Sequence, residues 1–512
     1  MATPFFSARS PLAARVRVPS PATLVLLLVF GGSAVRLLGA ASTGLGIDES
    51  YMVANARSFA LGYVDHPPLH VWLAGAAARL AGSESALAVR LPFVALFAGS
   101  TAVMYALAAR LFGVRAGLWS ALAFNVAPVF TLAHGSWVLP DGPLIFFALA
   151  AANLLVRIFF APRPPGRPVL WWMAAGLCAG LACLSKLHGV FLFLGTFAFL
   201  LTVRSERRWI GTAGPWLGAA AALVVLAPAI VWNVRHDFAT VLFQAGRLES
   251  AQGGGLAALA DAVAGQALYL APWLFVALAV CLGRALWLGR AAPQSWFLAL
   301  LAAGPVLFFT AAALFAPGLP HWPMPGWLFA FPLLGDALAA LTVRYPRPLR
   351  WAAIFAAAVA LLLAVALVRQ AATGAVSRAW PALFAKQDWT LELLDWTELA
   401  SLLAERRLLD PQTPAVAAAF WTEAGKLDYA LGGTIPVLCL CRKPQQFAFG
   451  PDPERFVGRD MILLGTAPVL AKHGSDVFRR FKRVELLAPA FLHRGGTPAL
   501  EILLFRGVDF RG

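Results

Sequence analysis

Over most of the chain the hydrophobic positions form long uninterrupted runs rather than the spaced stripes of a soluble fold. A helix needs about 20 mostly apolar residues to cross the hydrocarbon core of a bilayer. Eleven such stretches follow one another, near residues 22–41, 86–109, 116–133, 141–160, 170–184, 188–203, 212–232, 264–283, 295–316, 323–341 and 351–369. After residue 370 the pattern changes. The segment "KQDWTLELLDWTELASLLAERRLLD" has helical periodicity with charged faces, and "TIPVLCLC" and "DMILLGTA" read as buried strands. The pattern predicts a polytopic α-helical membrane protein of about eleven spans, carrying a small C-terminal α/β domain outside the bilayer. No internal repeat or low-complexity tract is evident.

Composition supports this division. Of 512 residues only 13% are charged and 60% are hydrophobic, with a mean hydropathy of +0.73. A soluble chain of this make-up could not cover its surface with polar groups. The net charge of +16 is scattered between apolar runs, so it speaks for topology and against a nucleic-acid partner. One set of loops carries sixteen arginines (Arg9, Arg15, Arg17, Arg110, Arg115, Arg157, Arg163, Arg167, Arg204, Arg207, Arg208, Arg284, Arg290, Arg344, Arg347 and Arg350). The alternate loops carry five basic residues, Arg57, Arg79, Lys186, Arg235 and Arg247. Positive charge marks the cytoplasmic side. This predicts a cytoplasmic segment over 1–21, a membrane domain over 22–370 with an outer loop at 42–85, and a periplasmic domain over 371–512.

The first apolar run, interrupted by Arg36, has the flanks of either a signal peptide or an anchor. A retained span is expected, because the polar motif that follows needs holding at the membrane. Cys178, Cys183 and Cys281 lie in apolar runs as small core residues. Cys439 and Cys441 form a C-x-C without the second half of a zinc site.

On this map the polar oddities collect on one face of the membrane. "GIDESY" (Asp48, Glu49, Tyr51) follows the first span, and "DHPPL" (Asp65, His66) lies in the same outer loop. "HGSWVLPDGPL" places His134 and Asp141, and "SKLHG" places Lys186 and His188, at outer junctions. "NVRHDF" with His236 and "PGLPHWPMPGW" with His321 are also outer. Singly, each has a plain reading: a lysine or histidine at a span end snorkels to the interface, and Asp before Gly-Pro caps a helix. Together, acids, imidazoles and a lysine at one level of the bilayer point to function. Pro67 and Pro68 have no backbone N–H, so the chain there leaves any helix and holds Asp65 and His66 in an extended segment.

The residue types suggest a chemistry. A carboxylate such as Asp48 suits a general base taking a proton from an acceptor hydroxyl, with Glu49 in support. Lys186 and His66 are cations for the developing charge of a phosphate leaving group. Asp141 or Asp65 could hold a divalent metal or orient an acceptor, and the apolar bundle would take a lipid tail.

"GIDESYMVANARSFALGYVDHPPLHVWLAG" resembles the first outer loop of GT-C glycosyltransferases of the protein O-mannosyltransferase superfamily, glycosyltransferase family 39. "DHPPL" is similar to the His-Pro-Pro-Leu of protein mannosyltransferases and to the Glu-Lys-Pro-Pro-Leu of lipid A aminoarabinose transferases; "LPDGPL" and "SKLHG" look like bacterial members. The likeness covers roughly residues 20–340. It implies an inverting transfer from a polyprenyl-phosphate sugar donor to an envelope lipid or glycan at the bacterial inner membrane. By position Asp48 matches the family's catalytic Asp, Glu49 its partner and Asp141 a second acid near the cavity. Asp65 stands where the aminoarabinose enzymes have a Glu implicated in metal binding, and His66 replaces their Lys. Tyr51, His66, Lys186, His188, His236 and His321 are the expected substrate-binding set.

Two other readings remain at this point. One is transfer to Ser or Thr of secreted proteins, against which stands the lack of a β-trefoil insert. The other is a transporter of lipid-linked sugars, for which repeats and midplane polar residues would be expected.

Overall fold

A computed structural model of the protein describes residues 20–162, 166–249, 253–385, 387–409 and 414–512. Arg9, Arg15, Arg17, Arg163 and the Arg247 side chain from the charge count lie outside the described residues, as do Lys386 and Asp410 at the ends of the predicted tail helix. Among the described residues nine helical segments are long and apolar enough to cross a membrane. They are Pro21–Ser42, Ala86–Phe112, Asp141–Phe160, Pro168–Ser185, Ala213–Arg235, Pro272–Ala291, Pro293–Ala312, Met324–Arg344 and Pro346–Thr373.

In chain order the membrane part consists of α1 (Pro21–Ser42), α2 (Ile47–Ala56), α3 (Leu69–Ala81), α4 (Ala86–Phe112), α5 (Val114–Val126), α6 (Pro128–Leu132), α7 (Asp141–Phe160), α8 (Pro168–Ser185), α9 (Val190–Thr202), α10 (Ala213–Arg235), α11 (Ala239–Glu249), α12 (Leu256–Leu270), α13 (Pro272–Leu288), α14 (Pro293–Ala312), α15 (Met324–Trp327), α16 (Ala330–Arg344) and α17 (Pro346–Thr373). The expected spans at 116–133 and 188–203 correspond to shorter helices, α5 with α6 and α9 with the turn Leu187–Gly189 before it. Contacts at one end of the bundle show that both still return the chain across it. Glu49 on α2 holds Arg90 near the start of α4 and accepts from Val138 N just before α7, so α5 and α6 must climb back from the far end of α4. Lys186 at the end of α8 meets Asp141 at the start of α7, while Thr240 after α10 donates to the Tyr63 carbonyl. That leaves α9 to descend between α8 and α10. The expected span at 264–283 is divided: Ala271, at φ +72°, precedes Pro272 and separates α12 from α13. Pro272, at the first position of α13, suits the start of a new helix.

Local chemistry explains the ends. Ser20 caps α1 by accepting from Thr23 N, with Pro21 at the first helical position. Farther along α1, the buried Arg36 donates to Asn125 Oδ1 (3.1 Å) and to the Thr131 carbonyl (3.2 Å) and lies over the Phe97 ring. Those bonds satisfy the Asn125 side chain and a carbonyl left open in the last turn of α6. Only 6% of α17's most apolar window is buried, so this helix belongs to the lipid.

Two short helices, α18 (Ala375–Ala379) and α19 (Pro381–Phe384), lead from α17 to the C-terminal domain, which contains α20 (Thr397–Glu405), α21 (Trp421–Leu431) and α22 (Ala467–Phe478). Its strands are β1 (Val416–Ala418), β2 (Val437–Cys439), β3 (Met461–Gly465), β4 (Phe481–Leu486), β5 (Ala490–Arg494) and β6 (Thr497–Phe510), in the order β2-β1-β3-β6-β4 with β5 pairing β6. The β1, β2 and β3 strands are parallel, while β6 runs antiparallel to β3, β4 and β5. Both expected strands, in "TIPVLCLC" and "DMILLGTA", are present as β2 and β3. All five residues of β3 are buried, as expected for a strand covered on both faces. The predicted tail helix is shorter than its periodicity suggested, because a 3-10 turn at Trp389–Leu393 precedes α20.

This domain sits on the outer loop through α21. Gly425 lies so close to α2 that a Cβ there would come within 2.7 Å of the Tyr51 Cβ. Lys426, fully buried, donates to the carbonyls of Leu45 and Leu394. Arg57 pairs with Asp428 (2.8 Å) and Glu84 (2.7 Å), and Tyr429 Oη donates to the Glu84 carbonyl.

Candidate active site

The Asp-Glu pair of "GIDESY" opens α2, and its members diverge. Glu49, at the third helical position, accepts from Gly46 N (2.8 Å) and Val138 N (2.9 Å) and takes two bonds from Arg90 (2.7 and 2.5 Å). Both side chains of the Arg90–Glu49 pair are 1% exposed. Burial pushes the Glu49 carboxyl up, but the Arg90 charge, its hydrogen bonds and the two backbone N–H groups outweigh this and hold it below the usual range. Arg90 spends its remaining donors on Ala40, Thr43 and Gly44. Glu49 thus fastens α1, α2, α4 and the approach to α7 together. Asp48, one residue earlier, is exposed.

Asp48, Tyr51, Met52 and Asn55 fall at helical spacing on one face of α2. The Tyr51 hydroxyl is hydrogen-bonded to Asp65 and Asn55, and the Met52 sulfur lies 3.2 Å from His70 Nε2. The same face therefore meets the DHPPL segment. Burial, and then the neighbouring Asp65 charge, push the Tyr51 phenol well above its ordinary range. The segment is fixed from several directions. Thr240 Oγ1 donates to the Tyr63 carbonyl (2.8 Å), Gln244 donates to the Asp65 carbonyl, and Gly62 packs against the Trp232 ring with no room for a side chain. His66 stands edge-on to His70, with ring centroids 5.8 Å apart.

His70 leads into a second group of polar residues. Asp141 begins α7 and Lys186 ends α8. An acid at a helix N-terminus and a cation at a C-terminus each suit the helix dipole, and the antiparallel pair of helices brings them together. Lys186 Nζ lies 2.9 and 3.0 Å from the two Asp141 oxygens, and both side chains are 5% exposed. His134 Nε2 is 3.7 Å from Asp141 Oδ1. His188 stacks on Phe309 at 4.4 Å, and His321 lies within electrostatic reach of Asp141 and His188. Burial lowers the His134 imidazole to about 4 and the His70 imidazole to about 3, so near neutral pH both are uncharged hydrogen-bonding groups.

The structure thus brings Asp65, His66, Tyr51, Asp141, Lys186, His188 and His321 to one end of the bundle, with Asp48 on the adjoining helix face. His236 stands apart from the Asp141 cluster: it stacks on Trp232 at 4.3 Å, Nδ1 lies 2.7 Å from the Trp232 carbonyl, and its edge meets Phe449. Among the described residues no group of three or more His, Cys, Asp or Glu side chains is arranged to hold a metal ion. No step below uses a metal.

Arg90, His70 and the Gln446 backbone were missed by sequence reasoning. Arg90 had a signal, being a cation inside an apolar run, where a charge needs a partner. His70 lies four residues after His66, a spacing that shares a face only within one helix, and the helix here begins at Leu69, after His66. Gln446, which donates its N–H to Tyr51 Oη at 2.9 Å, had none.

Comparison with known proteins adds to this geometry. Residues 65–232 match the family model described as dolichyl-phosphate-mannose-protein mannosyltransferase. The crystal structure of ArnT from Cupriavidus metallidurans bound to undecaprenyl phosphate superposes with a TM-score of 0.63 at 16% identity, covering 95% of this chain and 98% of that one. The chain has the GT-C glycosyltransferase fold. The archaeal oligosaccharyltransferase AglB from Archaeoglobus fulgidus is similar at a TM-score of 0.50 and 13% identity, over 94% of this chain and 74% of that one. Lipid A galacturonosyltransferase RgtD of Rhizobium johnstonii is 28% identical over 218 residues, 42% of this chain and 44% of that protein. The matched segment therefore spans less than half the length of that relative. The resemblance read from "GIDESY" and "DHPPL" is borne out, and the GT-C chain is a polytopic membrane protein.

Proposed function

We propose that this protein is a membrane glycosyltransferase that moves a sugar from a polyprenyl-phosphate donor to a lipid or glycan of the bacterial envelope. The observation that carries the reading is the convergence of the DHPPL segment with the buried Asp141–Lys186 pair at the outer end of a GT-C bundle. The likeness to a lipid A galacturonosyltransferase favours a lipid acceptor over a protein one, with galacturonic acid as the first sugar to test.

In this reading Asp48 takes the proton from the acceptor hydroxyl. The oxygen attacks the anomeric carbon from the face opposite the phosphate, the bond to the phosphate oxygen breaks, and the product is inverted. Lys186 has three donors, and Asp141 occupies two, leaving one N–H for a phosphate oxygen of the leaving group. The neutral His134 and His70 supply hydrogen bonds without adding charge. Glu49 supports the reaction by fixing α2, on which Asp48 and Tyr51 sit. The arginine-rich loops support a cytoplasmic N-terminus, with the site and the C-terminal domain on the periplasmic side.

Mass spectrometry of envelope glycolipids and secreted proteins, comparing cells with the wild-type protein and with Asp48→Asn, tests the proposal. Loss of one sugar increment from a glycolipid is expected. Loss from a protein would instead establish O-glycosylation. No change in either, with both versions stably expressed, would contradict the transferase reading.

A further inference from the structure

The C-terminal domain does more than sit on the outer loop. The extended stretch before Pro67 has no helix or sheet to satisfy its backbone, and an unpaired buried N–H is costly. Val64 N–H is taken by Gln446 Oε1 at 2.9 Å. The same residue's own N–H goes to Tyr51 Oη at 2.9 Å. With a donor on its oxygen, the Tyr51 hydroxyl turns its proton to an acceptor, and Asp65 is hydrogen-bonded to it. Gln446 therefore grips the DHPPL segment twice, directly at Val64 and through Tyr51 at Asp65.

The residue is itself held firmly. It lies in a 3-10 turn, Gln445–Phe449, whose Phe447 packs on the Tyr51 ring at 5.9 Å. Phe449 in the same turn meets Trp232 at 5.6 Å and His236 at 5.3 Å. Behind it, α21 is locked to α2 and the outer loop by Gly425, Lys426 and Asp428. Gln446 is thus fixed between α2, the DHPPL segment and the end of α10.

We propose that Gln446 is a positioning residue for the transfer reaction, setting Asp65 and His66 through Val64 and Tyr51, so that the C-terminal domain is a working part of the site. The inference rests on the transferase reading for its effect on turnover, but not for its geometry. Two measurements on the purified full chain in lipid nanodiscs separate these. The first follows transfer from polyprenyl-phosphate-linked galacturonic acid to lipid A. Gln446→Ala is expected to lower kcat by about 10–100-fold, the scale of a small misplacement at a reacting centre, with the donor KM within about twofold. Gln446→Glu keeps an acceptor oxygen for Val64 N–H and should recover kcat to within about threefold of wild type. Wild-type turnover in Gln446→Ala, or equal losses in both variants, would overturn the proposal.

The second measurement is hydrogen exchange over residues 60–66, which needs no substrate. Gln446→Ala should speed exchange there by at least about tenfold, and Gln446→Glu should not. Unchanged exchange in Gln446→Ala would overturn the grip itself. If wild-type protein transfers nothing, the transferase reading fails while exchange still decides whether Gln446 holds the segment.

Discussion

Replacing Glu49 by Gln separates the two members of the Asp-Glu pair. Each Glu49 oxygen faces two donors: Oε1 accepts from Arg90 Nε and Val138 N, and Oε2 from Arg90 Nη2 and Gly46 N. Whichever way a Gln amide turns, its NH2 points at two N–H groups, and Arg90 is left as a buried cation without a counter-charge. Breaking a buried pair by removing one partner costs about 3–5 kcal/mol. At roughly 2 °C per kcal/mol for a large chain, Tm should fall by about 6–10 °C. Tryptophan fluorescence on heating, in a chain with 18 tryptophans, would read this directly. The double variant Glu49→Gln with Arg90→Met should recover part of the loss, because no charge is then stranded. The pH dependence follows from the depressed carboxyl. Its contribution is full above the unfolded-state value near 4.5 and is lost as pH falls through the lower folded value. Glu49→Gln should therefore lose that part of the acid dependence. A variant that melts within a degree of wild type yet has lost all turnover would refute the reasoning, because Glu49 would then be acting in the chemistry.

Further outcomes follow from the other buried charges. Lys186→Ala strands Asp141 and should lower both Tm and turnover, whereas Lys186→Met with Asp141→Leu should melt higher than Lys186→Ala and remain inactive; recovered turnover in the double variant would show that Lys186 only snorkels. Lys426 is lowered by burial to about 7 from an ordinary 10.5. The unfolded state therefore binds more protons between those values, and attachment of the C-terminal domain should strengthen as pH rises from about 7 towards 10.5. Limited proteolysis across that range should show falling cleavage in wild type and no such trend for Lys426→Met.

How much was legible in the sequence depended on the range of each interaction. The apolar runs, the gathering of most polar clusters at one end of the bundle and the strands β2 and β3 all follow from local pattern. The break at Ala271 had one sign, Pro272, but a proline inside a long apolar run can kink a helix as well as open a new one. Similarly, "GIDESY" announced Asp48 and Glu49 together, but only Arg90, 41 residues on, shows that Glu49 is bound up in structure. Asp141 and Lys186 were each noticed, yet their pairing depends on how α7 packs on α8. The motif "FWTEAGKLDYALGG" gave no sign of its role, because Gly425, Lys426 and Asp428 meet partners more than 370 residues away in the outer loop.

The most direct test of the account is transfer itself. Purified wild-type chain and Asp48→Asn, matched for Tm, would be given a polyprenyl-phosphate-linked sugar and a lipid A acceptor, and the sugar arriving on the acceptor would be counted by mass spectrometry. The account predicts an inverted glycosidic product from wild type and loss of at least about a hundredfold in Asp48→Asn, the scale of a general base. Equal transfer by both proteins would contradict the role given to Asp48.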